Sequence, residues 1–377
     1  MLLSHRVMKV LMLVKSDVVH DSRVRRQVRT LVKAGASVTV VGEGGPSGRL
    51  LLDGADVFFL HVSKESAATR PRWIKPLRWL LLPEYRAWHE RRYRSNARTI
   101  ALELGPFDFV HAHDFPTLSL GHELARRWGS RLVYDSHEWW RGRARVGRPD
   151  ALHRKWQAHL ERKLAADAEA VITVGSEVAA LLSEALERRV VIVRNTTELR
   201  CTTAPDYPTA IVYPGRIGPG RDLESVMLAV PDMPVALRLI GKRVSGITVP
   251  DNVGVLPEGT ASDVDAVIAE GGIVAVPLEA GPVNHDVALP NKLFHAVACG
   301  VPVVAADLPA LRDIVTRHGI GEVYTPGSSD SFAAAASKVV ENYQLYVEAV
   351  QAARGELNWE FDSKTLLTVY GLQEVIS

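Results

Sequence analysis

Residues 7–41 read VMKVLMLVKSDVVHDSRVRRQVRTLVKAGASVTVV. Val7 to Val14 is an apolar run, interrupted only by Lys9, and reads as a strand. From Asp21 to Lys33 the spacing is helical and closes on Gly35 as a C-cap. Ser37 to Val41 is a second β-branched run. Strand, helix and strand in that order make a βαβ unit, which requires a parallel sheet.

The same rhythm repeats outward from this unit. Phe107 to His111 reads as strand, Thr117 to Trp128 as helix, Arg131 to Asp135 as strand and Ala151 to Ala166 as a long helix. Ala170 to Val174, Glu177 to Leu186 and Val190 to Val193 continue the alternation. Between Asn195 and Thr209 the periodicity gives way to a Thr/Pro-rich run with Pro205 and Pro208, the composition of a linker. Alternation restarts at Ala210 to Tyr213 and runs through Val235 to Ile240, Ile273 to Val276, a helix at Asn291 to Cys299 and the strand Val301 to Ala305, after which helices end the chain. The expected fold is two doubly wound, Rossmann-like α/β domains, residues 1–198 and 199–355.

Composition narrows the class. In 377 residues, 47% are hydrophobic and 23% charged, with a net charge of +2, as in ordinary globular proteins. Cys201 and Cys299 are the two cysteines, far apart and outside any metal-ligand spacing, so neither a disulfide framework nor a structural zinc site is expected. A cytoplasmic location is expected, with no signal peptide and no membrane span. The near-neutral charge and lack of a reader motif argue against nucleic acid as a partner.

Ligands of open parallel sheets sit beyond the carboxyl ends of strands. The loop after the first strand, Lys15 to Asp21, has no glycine, which disfavours a dinucleotide cofactor, and no P-loop occurs anywhere. His111-Ala112-His113-Asp114 closes one strand, and His113 with Asp114 lies furthest past its expected end. Tyr134-Asp135-Ser136-His137-Glu138 closes another, where the competing reading is a solvated turn that caps a helix. Gly215-Arg216-Ile217-Gly218-Pro219-Gly220-Arg221 follows the first strand of the second domain. Its glycines permit close backbone approach and its arginines supply cations, a combination suited to a diphosphate. Asn291 and Lys292 open a helix whose free amides also favour an anion.

In order and spacing these pieces resemble the family 4 retaining glycosyltransferases of the two-domain GT-B fold. The resemblance rests on the strand end Asp108 to His113, on Tyr134 to Glu138, on Gly215-Arg216 with Arg221, and above all on LPNKLFHAVACGVPVV at residues 289–304. It implies a cleft between the domains and a C-terminal helix, residues 356–377, that crosses back onto the first domain near Asn358-Trp359-Glu360. It also implies a nucleoside-diphosphate sugar donor, a hydroxyl acceptor, and no metal or other cofactor. By the same resemblance Gly215, Arg216 and Arg221 hold the diphosphate, Asn291, Lys292, Leu293 and His295 meet phosphate or ribose, and His113 is the catalytic residue beside the transferred sugar. Asp21, Arg23, Asp114, His137, Glu138 and Asp286 fall on the donor-sugar or acceptor side.

One departure stands out. The family's two glutamates, eight residues apart, correspond here to Val287 and His295. Asp286 is adjacent to the first and His295 retains hydrogen-bonding capacity. Two other readings therefore remain open, a nucleotide-sugar epimerase using an acid/base pair from His113, His137 and Glu138, and a nucleotide-binding protein without catalysis. Separately, residues 70–98 concentrate nine arginines and lysines with Trp73, Trp79 and Trp88. Weak peripheral docking on an anionic membrane and a solvated helix face are the two readings of that segment.

Overall fold

A computed structural model of the chain describes residues 6–45, 48–60, 91–142 and 151–373, with backbone alone for 151–154. It divides into two compact units. The first comprises the chain to Val174, Ala179–Val193 and the segment from Ser363; the second comprises Gly175–Val178 and Arg194–Asp362.

The first unit is an eight-stranded sheet. Its strands are β1 (Lys9–Asp17), β2 (Ser37–Glu43), β3 (Gly48–Leu52), β4 (Ala55–Phe59), β5 (Phe109–His113), β6 (Arg131–Ser136), β7 (Ala170–Thr173) and β8 (Val191–Ile192). Their spatial order is β3-β4-β2-β1-β5-β6-β7-β8, parallel except for the β3–β4 hairpin. The βαβ unit is present: β1 pairs in parallel with β2 across α1 (Ser22–Lys33). Val10 to Val14 are buried, so each such side chain contributes on the order of 1.5–3 kcal/mol of hydrophobic transfer. The remaining helices are α2 (residues 91–104), α3 (Phe115–Trp128), α4 (Ala151–Ala166) and α5 (Ser176–Leu186).

The hairpin was not expected from periodicity. Its turn is Asp53-Gly54, both with positive φ (53° and 82°), the two-residue geometry whose twist matches paired strands.

The second unit is a wholly parallel six-stranded sheet in the order β11-β10-β9-β12-β13-β14. These strands are β9 (Ala210–Pro214), β10 (Ala236–Ile240), β11 (Gly254–Leu256), β12 (Gly272–Val276), β13 (Val303–Ala306) and β14 (Gly321–Tyr324). Its helices are α6 (Leu223–Leu228), α7 (Ala261–Gly271), α8 (Val283–Asp286), α9 (Asn291–Cys299), α10 (Pro309–His318), α11 (Ser329–Glu341) and α12 (Tyr343–Ala353). The last helix, α13 (Trp359–Tyr370), begins in the second unit and ends in the first. β14 corrects the expectation that only helices follow residue 305.

Strand order reverses between β1 and β5 in one sheet and between β9 and β12 in the other. These switch points are where an open α/β sheet leaves a crevice at its carboxyl edge.

Candidate functional site

At the carboxyl edge of the first sheet the structure moves the expected strand end. β5 runs to His113 rather than His111, so both histidines are strand residues on one face, stacked with centroids 4.2 Å apart and fully or nearly fully buried. His113 pairs in register with Asp135 on β6, which places that carboxylate on the same face. His113 is therefore not past the strand, and its ring lies behind His137, with its Nδ1 3.1 Å from His137 Nε2.

Asp135 is the electrostatic centre. Arg23 donates to both its oxygens, Gln27 donates to Oδ2 at 2.8 Å, and His137 Nε2 stands 3.4 Å away. Burial alone would raise this carboxyl, but Arg23 and then His137 hold it well below the ordinary range. His137 shows the converse: burial opposes its charge, yet Asp114 and then Asp135 raise it to about 9. Burial, and then His111, push His113 well below its usual value. A charged His137 and a neutral His113 assign the proton between them, so His137 Nε2–H donates to His113 Nδ1. His111 is lowered by burial as well, and its Nδ1 lies 2.6 Å from the Tyr370 hydroxyl, whose own proton burial retains. Tyr370 OH is thus the donor in that bond, and the C-terminal helix fixes the tautomer of His111.

Asp114 carries strain. Its φ of 62° and ψ of 163° lie in a region almost restricted to glycine. Its side chain does not cap α3; Oδ1 accepts the His137 backbone N–H at 3.0 Å. Beside it Phe115 and Trp140 pair with ring centroids 6.0 Å apart, and Arg141 lies over Trp139.

Two expected site residues have structural duties instead. Asp21 is the N-cap of α1, accepting Val24 N–H at 3.1 Å and the Ser16 hydroxyl at 2.6 Å. Arg23 is buried on Asp135, with Nη1 donating to Val193 O at 2.8 Å. Glu138 is half-buried at the end of the same turn, and Ser136 Oγ donates to its carbonyl.

In the second unit the glycine loop and α9 converge. Gly215 has a φ of 146°, and a Cβ there would meet Lys292 Cε at 3.0 Å, so both backbone and space require glycine. Lys292 Nζ lies 4.8 Å from the centroid of the Tyr213 ring, while Tyr213 OH donates to Arg216 O at 2.8 Å. Burial, with Arg221 adding repulsion, lowers Lys292 to about 8. Arg216 is exposed and Arg221 half-buried at the same loop. Three cations thus meet around Gly215.

The other expected contact residues have partners within the protein. The Leu293 amide donates to Pro290 O at 3.0 Å and its side chain belongs to the core. Asn291 Oδ1 accepts from Asn195 Nδ2. His295 Nε2 is bonded to Asp265 Oδ1, and Arg200 Nε lies 2.7 Å from the other oxygen. Asp286 ends the short α8, half-buried; the carboxylate on the glycine loop is that of Glu279, which accepts Gly220 N–H at 3.0 Å across the β9/β12 switch point. Glu279 and Asp265 were missed because each comes from an element other than the motif it serves. Glu279 is signalled only by its position past the end of β12, and Asp265, within α7, by nothing in the spacing.

Residues 70–90 of the basic segment lie outside the described residues. Of the remainder, Arg94 and Arg98 pair with Glu123 on α3 at 2.7 and 2.6 Å, as an ordinary surface helix would. No described helix is long and apolar enough to cross a membrane.

Two parallel α/β sheets, each with polar residues gathered at its switch point, define the architecture of sugar-transferring enzymes of the GT-B type, and the family comparisons agree. Residues 21–196 match the glycosyl transferase 4-like domain and residues 210–342 match glycosyl transferases group 1. The chain belongs to the group 1, family 4 type of glycosyltransferases and is a transferase. It is 27% identical over 312 residues to a D-inositol 3-phosphate glycosyltransferase of Actinosynnema mirum, covering 71% of this chain and 73% of that protein. A Salinispora arenicola protein of the same name is 24% identical over 316 residues, 71% and 69% of the two chains. Among solved structures, sucrose-phosphate synthase from Thermosynechococcus elongatus superposes with a TM-score of 0.70 at 15% identity over 97% and 98% of the two chains. Anabaena HepE in complex with UDP gives 0.67 at 16% over 97% and 100%. At these identities the structural likeness shows the fold.

Proposed function

We propose that the protein transfers a sugar from a nucleoside-diphosphate sugar, of which UDP is the first nucleotide to test, to a hydroxyl acceptor with retention at the anomeric carbon. The observation that carries this reading is the convergence of Arg216, Arg221 and Lys292 on the glycine loop at the switch point of the second sheet. Breaking the bond between the anomeric carbon and the diphosphate builds negative charge on the leaving group, and fixed cations stabilise that charge most in the transition state. Support for UDP comes from HepE, solved with UDP and with UDP-glucose. Membership of the family supports retention.

The second sheet serves the donor and the first the acceptor. On the acceptor side His137 is the imidazole nearest a substrate, its side chain 18% exposed against 2% for His113. His113 positions His137 by accepting a hydrogen bond from its Nε2–H.

Calorimetric titration with UDP tests the donor half. Arg221→Ala should weaken binding at least tenfold, and unchanged affinity removes the glycine loop from the donor site. Incubation with UDP-glucose and a hydroxyl acceptor, read by proton NMR, tests the rest; an inverted anomeric configuration in the product rejects retention.

A further inference from the structure

Arg216, Arg221 and Lys292 leave the loop around Gly215 with an excess of positive charge. None of the three has a carboxylate partner among the described residues: Arg216 Nη2 donates to Pro219 O at 3.5 Å, and Lys292 Nζ lies over the Tyr213 ring. Such a seat binds the more negative of two ligands more tightly. A nucleoside diphosphate is more negative than its sugar ester, because the ester lacks the second ionisation of the terminal phosphate, at a pH of about 6. Left to its cations, the seat would hold the spent diphosphate more firmly than the donor, and release of that product would limit turnover.

Past the end of β12 stands a carboxylate that opposes this. Glu279 is exposed, and its Oε1 accepts the Gly220 N–H at 3.0 Å, next to Arg221. β12 pairs with β9, so the side chain crosses to the glycine loop over the switch point of the sheet. The Glu279 carbonyl accepts from His285 Nδ1 at 2.6 Å, which ties the turn after β12 to α8. Glu279 forms no ion pair with any described residue, so it adds a negative charge beside the loop rather than neutralising one of the cations. The loop's other carboxylate, Asp222, is taken up by the Ser225 and Tyr324 hydroxyls, each at 2.7 Å, and by the Gly327 amide at 3.0 Å.

We infer that Glu279 sets the preference of the site between donor and product, disfavouring the free nucleoside diphosphate relative to its sugar ester and so speeding its release. Repulsion from a carboxylate scales with the charge of the ligand, and the additional negative charge lies on the free diphosphate alone. The sign holds whichever end of the diphosphate is nearer the carboxylate, since a diphosphate is shorter than the screening length of about 8 Å at physiological salt. This rests on the donor reading above and adds to it a determinant of specificity that works through charge alone.

Calorimetric titration of the full-length protein at pH 7.5, with UDP and with UDP-glucose in the absence of acceptor, tests the inference, and the GDP and ADP pairs stand in where UDP does not bind. In Glu279→Gln, which keeps an oxygen for the Gly220 amide, the free diphosphate should bind about tenfold more tightly than in the native protein and the sugar ester by less than half that factor. The inhibition constant of the free diphosphate as a product inhibitor of transfer should fall by a similar factor. Glu279→Asp, which keeps the charge, should retain the native ratio of the two affinities. Unchanged affinity for the free diphosphate in Glu279→Gln overturns the inference, and so does equal tightening of both ligands. Weaker binding of the sugar ester with the free diphosphate unmoved overturns it too, because the carboxylate would then be a partner of the sugar rather than a charge against the product. Failure of every pair to bind the native protein overturns the donor reading, and this inference with it.

Discussion

Arg23 closes on Asp135 with two parallel hydrogen bonds, Nε to Oδ2 at 2.9 Å and Nη2 to Oδ1 at 2.8 Å, with both side chains buried. The arginine comes from the first turn of α1 and the aspartate from β6, so one ion pair ties the opening βαβ unit to the strand that ends just before His137. The guanidinium fork matches the carboxylate, and Gln27 satisfies a further lone pair.

Removing one partner leaves the other charge buried without compensation. Arg23→Met should therefore lower stability by about 3–5 kcal/mol, measured by urea unfolding. The double variant Arg23→Met with Asp135→Leu should lose less than Arg23→Met alone, because it leaves no stranded carboxylate. Equal losses in the two variants would mean that packing rather than charge holds this site.

His137 should titrate far from an ordinary histidine. Burial opposes its charge, but Asp114 and then Asp135 raise it to about 9. Its folded value lies above the ordinary 6.5, so the stabilisation from its ion pairs is complete below about 6.5 and is lost as pH rises through about 9. His137→Gln should then be destabilising at pH 6 and nearly neutral at pH 10. Proton NMR of the His137 Cε1–H gives the midpoint directly; a midpoint near 6.5 would show that Asp114 and Asp135 do not act on the ring.

Local pattern made the architecture readable and left the site half readable. Apolar runs at Val10 to Val14 and Ile273 to Val276 announce strands buried on both faces, and the helical spacing of residues 21–33 announces the crossover. The same pattern placed the end of β5 two residues early, because His111 and His113 look polar to a periodicity argument although the interior holds them as neutral rings. The Asp53-Gly54 hairpin turn was in plain view as a dipeptide, but Leu50 and Leu51 on its edge strand face outward and weaken the alternation. Lys292 was found at its helix start from the motif. Its approach to Gly215 was not, since only the fold brings residues so far apart in sequence together. The exchange of roles between Asp21 and Arg23, which cap and pair, and Glu279 and Asp265, which meet the glycine loop and His295, likewise depends on contacts that spacing does not encode.

On the proposed donor role of the glycine loop, Lys292 should make diphosphate affinity depend on pH. Burial, then Arg221, lowers its ammonium to about 8, so below that pH it is charged without further cost and above it a bound anion must recruit a proton. UDP affinity should fall as pH rises from 7 to 9, and calorimetry at pH 9 should show proton uptake on binding in buffers of different ionisation enthalpy. Lys292→Met should bind weakly at both pH values and remove that uptake. An affinity that falls equally in the variant would place the titrating group elsewhere.

Asp114 allows backbone strain and side-chain chemistry to be separated. Its φ of 62° and ψ of 163° cost a non-glycine residue on the order of 1–3 kcal/mol, and the conformation persists because Asp114 N donates to Asp135 O at 2.7 Å, Thr117 Oγ1 donates to Asp114 O at 3.1 Å, and Oδ1 takes the His137 amide. Glycine and alanine both delete the carboxylate, but only alanine retains a Cβ in the strained conformation. Asp114→Gly should therefore be more stable than Asp114→Ala by about 1–3 kcal/mol, measured by urea unfolding. On the proposed acceptor role of the first sheet, both should lose transferase turnover to the same degree, since the carboxylate is gone from each. If glycine restored turnover while alanine did not, the backbone would be what the reaction needs. If the two variants were equally stable, the glycine-like conformation would cost the native protein nothing.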